Sequence, residues 1–271
     1  MHLVTLVENT TMREDLIAQH GLSLYMVCHG KHILFDMGQD DIFFHNAKKL
    51  GVDISNIDYA ILSHGHYDHC GGLSTFLQHN SRAPIYLGSG SDKPFYSERP
   101  KKYRYIGLDD KILEENAERL RWVHESLDVS YGIHLISGFD MDESRPKGNR
   151  GLYIKEKSDY LPDPFAHEIL CIIEEPDGIT LVTGCGHSGI INMVASAKRY
   201  LPDVPVKAVI GGFHLIGESR QEIERIAGKL LELGCGRVIT GHCTGEDAAH
   251  IMEEVLGDRL DRLHTGYSTD L

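Results

Sequence analysis

The chain of 271 residues contains no Cys-x-x-Cys pair among its six cysteines, Cys28, Cys70, Cys171, Cys185, Cys235 and Cys243, which excludes a zinc ribbon and a thioredoxin-type motif. A chain of this length buries enough surface to need no disulfide staples, so its thiols fit a reducing compartment. It also lacks any apolar run near the ~20 residues of a membrane-spanning helix. Its opening, Met1-His2-Leu3-Val4-Thr5-Leu6-Val7, has no basic leader and reads as a first strand, not a signal peptide. Cations are scarce. There are 27 Lys and Arg against 40 Asp and Glu, a net charge of −13, and such a field repels phosphate backbones and argues against non-specific nucleic-acid binding. These absences predict a soluble, cytoplasmic protein that binds neither nucleic acid nor membrane, and they leave room for a small anionic ligand at a local basic patch.

Histidine, by contrast, is plentiful, with 17 in the chain. Three of them crowd with one carboxylate into Ser63-His64-Gly65-His66-Tyr67-Asp68-His69-Cys70-Gly71-Gly72, directly after the apolar run Ile61-Leu62. In an extended segment, residues two apart point the same way, so His64 and His66 grip one ion. Asp68 and His69 fall in the following turn and serve a second ion, as two-metal hydrolytic sites require. A solvated histidine cluster is the bland alternative; the strand before and the double glycine after favour metal.

The remaining pattern is a rhythm of strands and helices. Strands are predicted over 2–7, 22–29 and 31–35, the last two forming a hairpin about Gly30, and again over 57–62 and 84–87. Helices are predicted over 40–50 and 72–79. In the second half, strands over 168–175, 179–183, 206–210 and 237–240 alternate with helices over 190–201, 220–233 and 245–256, with Ser219 and Glu222 as a capping box. Between 90 and 165 the apolar period breaks up, and this stretch reads as a variable insertion over the substrate site. Inside it a helix is predicted over 111–120 and strands over 122–123, 133–136 and 152–157, and its segment 99–104 holds the cations Arg99, Lys101, Lys102 and Arg104. The expected architecture is a single α+β domain over 1–271, with helices outside the sheets.

The histidine stretch resembles the signature of the metallo-β-lactamase superfamily. More narrowly, Leu34-Phe35-Asp36-Met37-Gly38, Thr183-Gly184-Cys185-Gly186-His187, Gly211-Gly212-Phe213-His214-Leu215 and Gly241-His242-Cys243-Thr244-Gly245 resemble a branch that includes archaeal dihydropterin-ribofuranosyl-aminobenzene phosphate synthases. That resemblance implies a four-layer αβ/βα sandwich with an inserted cap and a one- or two-metal site. It implies His242 as a ligand beside Asp68 and His69, and Asp36 as an acceptor that orients a ligand imidazole. Where the superfamily usually has an aspartate bridging both ions, this chain has Cys185, a thiol that either ligates or packs under the site. The usual histidine before that strand is matched only loosely by His167, so His187 is expected to complete the first site with His64 and His66, and His167 is the reserve.

The cofactors expected are two divalent ions, zinc first, with manganese or iron as alternatives that the sequence does not separate. Asp68 is the expected catalytic carboxylate and His214 a substrate-facing histidine. The cations of the 99–104 run are candidates for holding a substrate anion. The leading expectation is a metal-dependent hydrolase of a small anionic ester, lactone or phosphodiester. The branch implies an alternative, a synthase joining a dihydropterin pyrophosphate to an aminobenzene ribotide. A non-catalytic metal- or ligand-binding regulator is a third.

Overall fold

A computed structural model describes residues 1–271, which divide into two compact units. The first comprises 1–124, 150–169 and 264–271, the second 125–149 and 170–263.

The first unit is built on a seven-stranded mixed sheet. Its strands run in the order Ser268–Asp270, His2–Val7, Ser23–Cys28, Lys31–Phe35, Tyr59–Leu62, Ile85–Gly88 and Leu120–Val123. The first four pair antiparallel, with Tyr25 opposite Leu34 in the predicted hairpin. From Lys31–Phe35 onward the pairing is parallel. Parallel strands are covered on both faces, which is why Ile61 and Leu62 are an unbroken apolar pair instead of alternating. The helices Ile42–Leu50 and Leu73–His79 bury Phe43, Ala47, Leu73 and Phe76 in one cluster with Leu34, Ala60 and Leu62. Gly51 stops the first helix at φ 75°, its N–H returning to the carbonyls of Ala47 and Lys48.

This unit also carries a four-stranded antiparallel sheet, in the order Asp159–Pro162, Leu152–Glu156, Phe95–Arg99 and Lys102–Tyr105. Phe95 and Ile154 are buried on one face beside Tyr67. The register puts Tyr96 opposite Tyr105 and Tyr153, and Lys155 opposite Tyr160; Tyr103 stacks on Tyr160 at 3.8 Å between ring centroids. Three of these strands, Phe95–Arg99, Lys102–Tyr105 and Asp159–Pro162, are absent from the sequence expectation. Lys102–Tyr105 is exposed throughout, so it had no burial alternation to read. The helix expected over 111–120 is Asp110–Glu115, followed by a 3-10 turn at Ala117–Arg119, because Leu120 is already in the strand paired with Ile85–Gly88.

The second unit has a seven-stranded sheet ordered Leu260–Arg262, Arg237–Thr240, Val206–Gly211, Gly178–Val182, Ile169–Glu175, Ile133–Ser137 and Ser126–Ser130. The first four strands are parallel. Its helices, Ile190–Tyr200, Arg220–Glu232 and Glu246–Leu256, bury Met193, Ile226 and Met252 around Leu181 and Val209. Ser219 caps the second as predicted, its hydroxyl accepting the Glu222 N–H at 3.3 Å. No helix of the chain is long and apolar enough to cross a membrane.

Candidate metal centre

Ligand-bearing side chains are placed by the carboxyl ends of parallel strands, the edge where open α/β sheets bind. In the first unit Asp36 follows Lys31–Phe35, and the run from Ser63 to His69 follows Tyr59–Leu62. The chain stays extended through His66, at φ −86° and ψ 143°, then turns into the single helical turn Tyr67–Cys70 that carries Asp68 and His69. Gly65 is required by close approach, because a Cβ there would lie 2.5 Å from the Phe95 ring and from the Ser91 carbonyl.

Asp36 is the organising group of this half. It is fully buried at φ 58°, a left-handed backbone that aspartate tolerates better than most residues. One carboxylate oxygen accepts the Ser63 N–H at 2.7 Å; the other accepts the Ser63 hydroxyl and His69 Nδ1, each at 2.7 Å. A carboxylate only accepts, so His69 carries its proton on Nδ1 and its lone pair on Nε2. Since the Ser63 proton is given to Asp36, its oxygen must accept from His64 Nδ1, 2.8 Å away. His64 therefore also presents a lone pair at Nε2. One buried carboxylate, directly and through one serine, sets two imidazoles in the metal-binding tautomer.

The rings lie close, His64 to His66 at 4.6 Å and His64 to His69 at 4.3 Å between centroids. Asp68 Oδ2 stands 3.8 Å from His69 Nε2. Two ligands bonded at ~2.0–2.2 Å to one tetrahedral zinc ion lie roughly 3.3–3.6 Å apart, so this donor pair is near the span of one divalent ion. His20 Nε2, on a half-exposed ring that the sequence reading missed, lies 3.2 Å from Asp68 Oδ2.

Asp163 was missed as well. It is buried at the end of the small sheet, with His66 Nε2 at 3.6 Å and His167 Nε2 at 3.2 Å from its Oδ2. Burial raises its carboxyl pKa, but the contacts from His167 and His66 outweigh that and hold it well below the usual range. His167, His66 and Asp163 each bring one donor atom within 4.8 Å of the others. His167 Nδ1, however, accepts the Gly65 N–H at 3.0 Å, so its proton is on Nε2 and faces Asp163. In that tautomer His167 acts as a strut under Gly65, with its Nε2–H turned to Asp163. The Asp163-x-x-x-His167 spacing was the only signal for this pair in the sequence.

Burial, opposed by Asp163, holds the His167 pKa below its ordinary value. The unfolded chain then takes up a proton first as pH falls through about 6.5, so stability present above that pH is lost toward the lower folded value. We expect the denaturant midpoint of the metal-free protein to fall between pH 7.5 and 5, and His167→Gln to flatten part of that slope.

In the second unit Cys185 and His187 follow Gly178–Val182, His214 follows Val206–Gly211, and His242 follows Arg237–Thr240. His187 and His214 are neighbours, with ring centroids 4.3 Å apart. His187 Nδ1 meets Asn149 Oδ1 at 2.8 Å. Both His214 and His242 have left-handed backbones, at φ 52° and 53°. Below them Thr244 Oγ1 accepts the Phe213 N–H at 2.9 Å and donates to Thr240, whose hydroxyl is committed to the Gly211 carbonyl, so adjacent strand ends are tied together. Cys185 is buried, and its carbonyl accepts the Cys243 thiol at 3.5 Å.

The cations of the inserted run divide. Arg99, Lys101 and Lys102 are exposed at a hairpin tip, with Lys101 at φ 66°. The Arg104 guanidinium lies over the Tyr67 ring, 4.7 Å from its centroid, and so sits beside the histidine loop.

The sequence profile of the metallo-β-lactamase superfamily matches residues 20–242. The chain belongs to the metallo-β-lactamase superfamily. As the quoted motifs implied, it is 34% identical to the 7,8-dihydropterin-6-methyl-4-(β-D-ribofuranosyl)-aminobenzene-5'-phosphate synthase of Methanocaldococcus jannaschii, over 92% of this chain and 89% of that one. It is 33% identical to an uncharacterised protein of the same archaeon, over 89% of each chain. Among solved structures, a metal-dependent hydrolase of the β-lactamase superfamily, Tm1679, superposes with a TM-score of 0.86 at 27% identity, over 100% of this chain and 99% of that one. Zinc-bound PqqB from Methylobacterium extorquens shares the fold at a TM-score of 0.61 and 14% identity, over the full length of both. The metallo-β-lactamase fold expected from the motifs is the fold of this chain.

Proposed function

We propose that this metallo-β-lactamase superfamily member is a metal-dependent hydrolase of a small anionic ester, lactone or phosphodiester. The reading is carried by Asp36, whose buried carboxylate directs the lone pairs of His64 and His69 outward beside Asp68. In this reading His64, His66 and His187 hold one divalent ion, and Asp68, His69 and His242 the other, with the Cys185 thiolate as a candidate between them. Zinc is the first choice, with manganese or iron as alternatives.

Bound ions of this kind lower the pKa of water toward ~7 and neutralise developing oxyanion or phosphoryl charge. The chain's own groups then divide the remaining work. Asp68 orients the attacking water, and His20 Nε2, 3.2 Å from the Asp68 carboxylate on a half-exposed ring, carries the released proton to solvent. His214 faces the substrate. Arg104, parked on Tyr67, attracts the substrate anion, and the tyrosine-rich small sheet screens it from water. Asp68→Asn is expected to lower kcat by about 10²–10⁴-fold, as loss of a positioned base does. Arg104→Ala is expected chiefly to raise KM for anionic substrates, and steady-state kinetics on bis(p-nitrophenyl) phosphate and a neutral lactone separates the two effects.

A second reading is favoured by the 34% identity to the aminobenzene-phosphate synthase over nearly the whole chain. In it the same ligand set eases departure of pyrophosphate while a dihydropterin is joined to an aminobenzene ribotide, and no water attacks. The deciding experiment runs the metal-loaded protein against bis(p-nitrophenyl) phosphate, a lactone panel and the pterin condensation in parallel. Turnover in the condensation alone overturns the hydrolase reading. Metal binding with no turnover in any arm favours a ligand-binding regulator.

A further inference from the structure

Residues 143–149 form a strap that no part of the catalytic proposal uses, and its last residue, Asn149, meets His187. At its end Asn149 Nδ2 donates to the His187 carbonyl at 2.8 Å, while Oδ1 lies 2.8 Å from His187 Nδ1. A carbonyl oxygen only accepts, which settles the orientation of the amide. The atom facing the ring is therefore an acceptor, the Nδ1 must carry the proton, and the lone pair of His187 is on Nε2.

The strap is anchored upstream. Glu218, whose side chain is 4% exposed, accepts the Lys147 N–H at 2.6 Å and its ammonium at 3.1 Å. Buried Asn192 binds both the N–H and the carbonyl of Glu143, at 2.8 and 3.0 Å, and Arg225 pairs with the Glu143 carboxylate at 3.1 Å. Gly148 lies against His214, where an added Cβ would sit 2.5 Å from Nδ1. Fixed points at Glu143, Lys147 and Gly148, all just ahead of Asn149, mean that its amide is held before any ion arrives.

We infer that Asn149 is a positioning residue that sets the tautomer and orientation of His187, and that the 143–149 strap exists to hold it. This rests on the reading of His187 as a metal ligand. A hydrogen bond to the far nitrogen of a ligand imidazole governs affinity without touching the ion.

The test uses zinc chloride as probe, with the dissociation constant measured against a competing chelator for the wild type, Asn149→Ala, Asn149→Asp, Glu218→Gln and His187→Ala. Long-range proton–nitrogen correlation on the metal-free protein reads the His187 tautomer. Asn149→Ala is expected to weaken zinc about 10–100-fold and to admit the Nε2–H form. Asn149→Asp keeps the acceptor facing Nδ1 but loses the donor to the His187 carbonyl, and is expected to restore the tautomer and part of the zinc affinity. Glu218→Gln, acting one step further away, is expected to fall between the alanine variant and the wild type. An Asn149→Ala protein with wild-type zinc affinity and an unchanged tautomer overturns the inference. If His187→Ala binds zinc as tightly as the wild type, it is the ligand reading that fails, and the metal-free tautomer still judges the clamp on its own.

Discussion

Replacing His64 and His66 together by alanine is expected to strip at least one of two bound ions and to lower kcat/KM about a thousandfold or more, a loss of about 4 kcal/mol of transition-state stabilisation. Their rings lie 4.6 Å apart, and His64 is already committed at Nδ1 to Ser63. No single neighbour can supply the two missing lone pairs. Plasma emission on the dialysed protein counts the ions, and circular dichroism checks that the sheets persist. A double variant that retains both metal equivalents and normal turnover would remove the basis of the functional proposal.

The second large effect is expected at Asp36, and here stability and chemistry can be pulled apart. Asp36→Ala deprives the Ser63 N–H, the Ser63 hydroxyl and His69 Nδ1 of their common acceptor in a fully buried place. Each buried group left unsatisfied costs about 1–3 kcal/mol. Alanine at φ 58° adds backbone strain of about 1–2 kcal/mol. The sum is comparable with the whole stability of a typical domain, about 5–15 kcal/mol, so the alanine variant is expected to lose most of its urea midpoint or to be recovered unfolded. Asp36→Asn tolerates the backbone and still offers one acceptor. Its one oxygen replaces only one of the two carboxylate oxygens, leaving an amide N–H against a Ser63 or His69 donor, so the folded asparagine variant is expected to bind zinc about 10–100-fold more weakly, with a smaller loss of midpoint than the alanine variant. Chelator competition and urea titration on the same samples distinguish the two losses.

These predictions concern residues that the sequence exposed to different degrees. The loop from His64 to His69 was legible because alternation and a turn are local rules, and a local rule places four donors without knowledge of the rest of the chain. The strand and helix order of the second half was legible for the same reason: Leu181, Val209, Met193 and Ile226 are fully or nearly buried and keep their period. Three of the four strands of the small sheet were not. Its strands bury only Phe95, Ser97 and Ile154 among them and turn tyrosines and charges outward, so the pattern that announces a strand is diluted. His20, Asn149 and Asp163 stand in segments without periodicity, where only contact tells a working polar residue from a solvated one.

What the residues by themselves determined is the inventory: a metal-type loop after an apolar strand, further histidines and a cysteine after later strands, and an acidic chain. What the tertiary structure decided is the state of each imidazole. His69 is set by an aspartate 33 positions earlier in the chain, His187 by an asparagine 38 positions earlier, and His167 by a backbone N–H 102 positions away. The two tautomers of a histidine differ by little until a hydrogen bond selects one. Because the selecting partners are remote in sequence, no spacing rule within the motif reveals which nitrogen is left to bind.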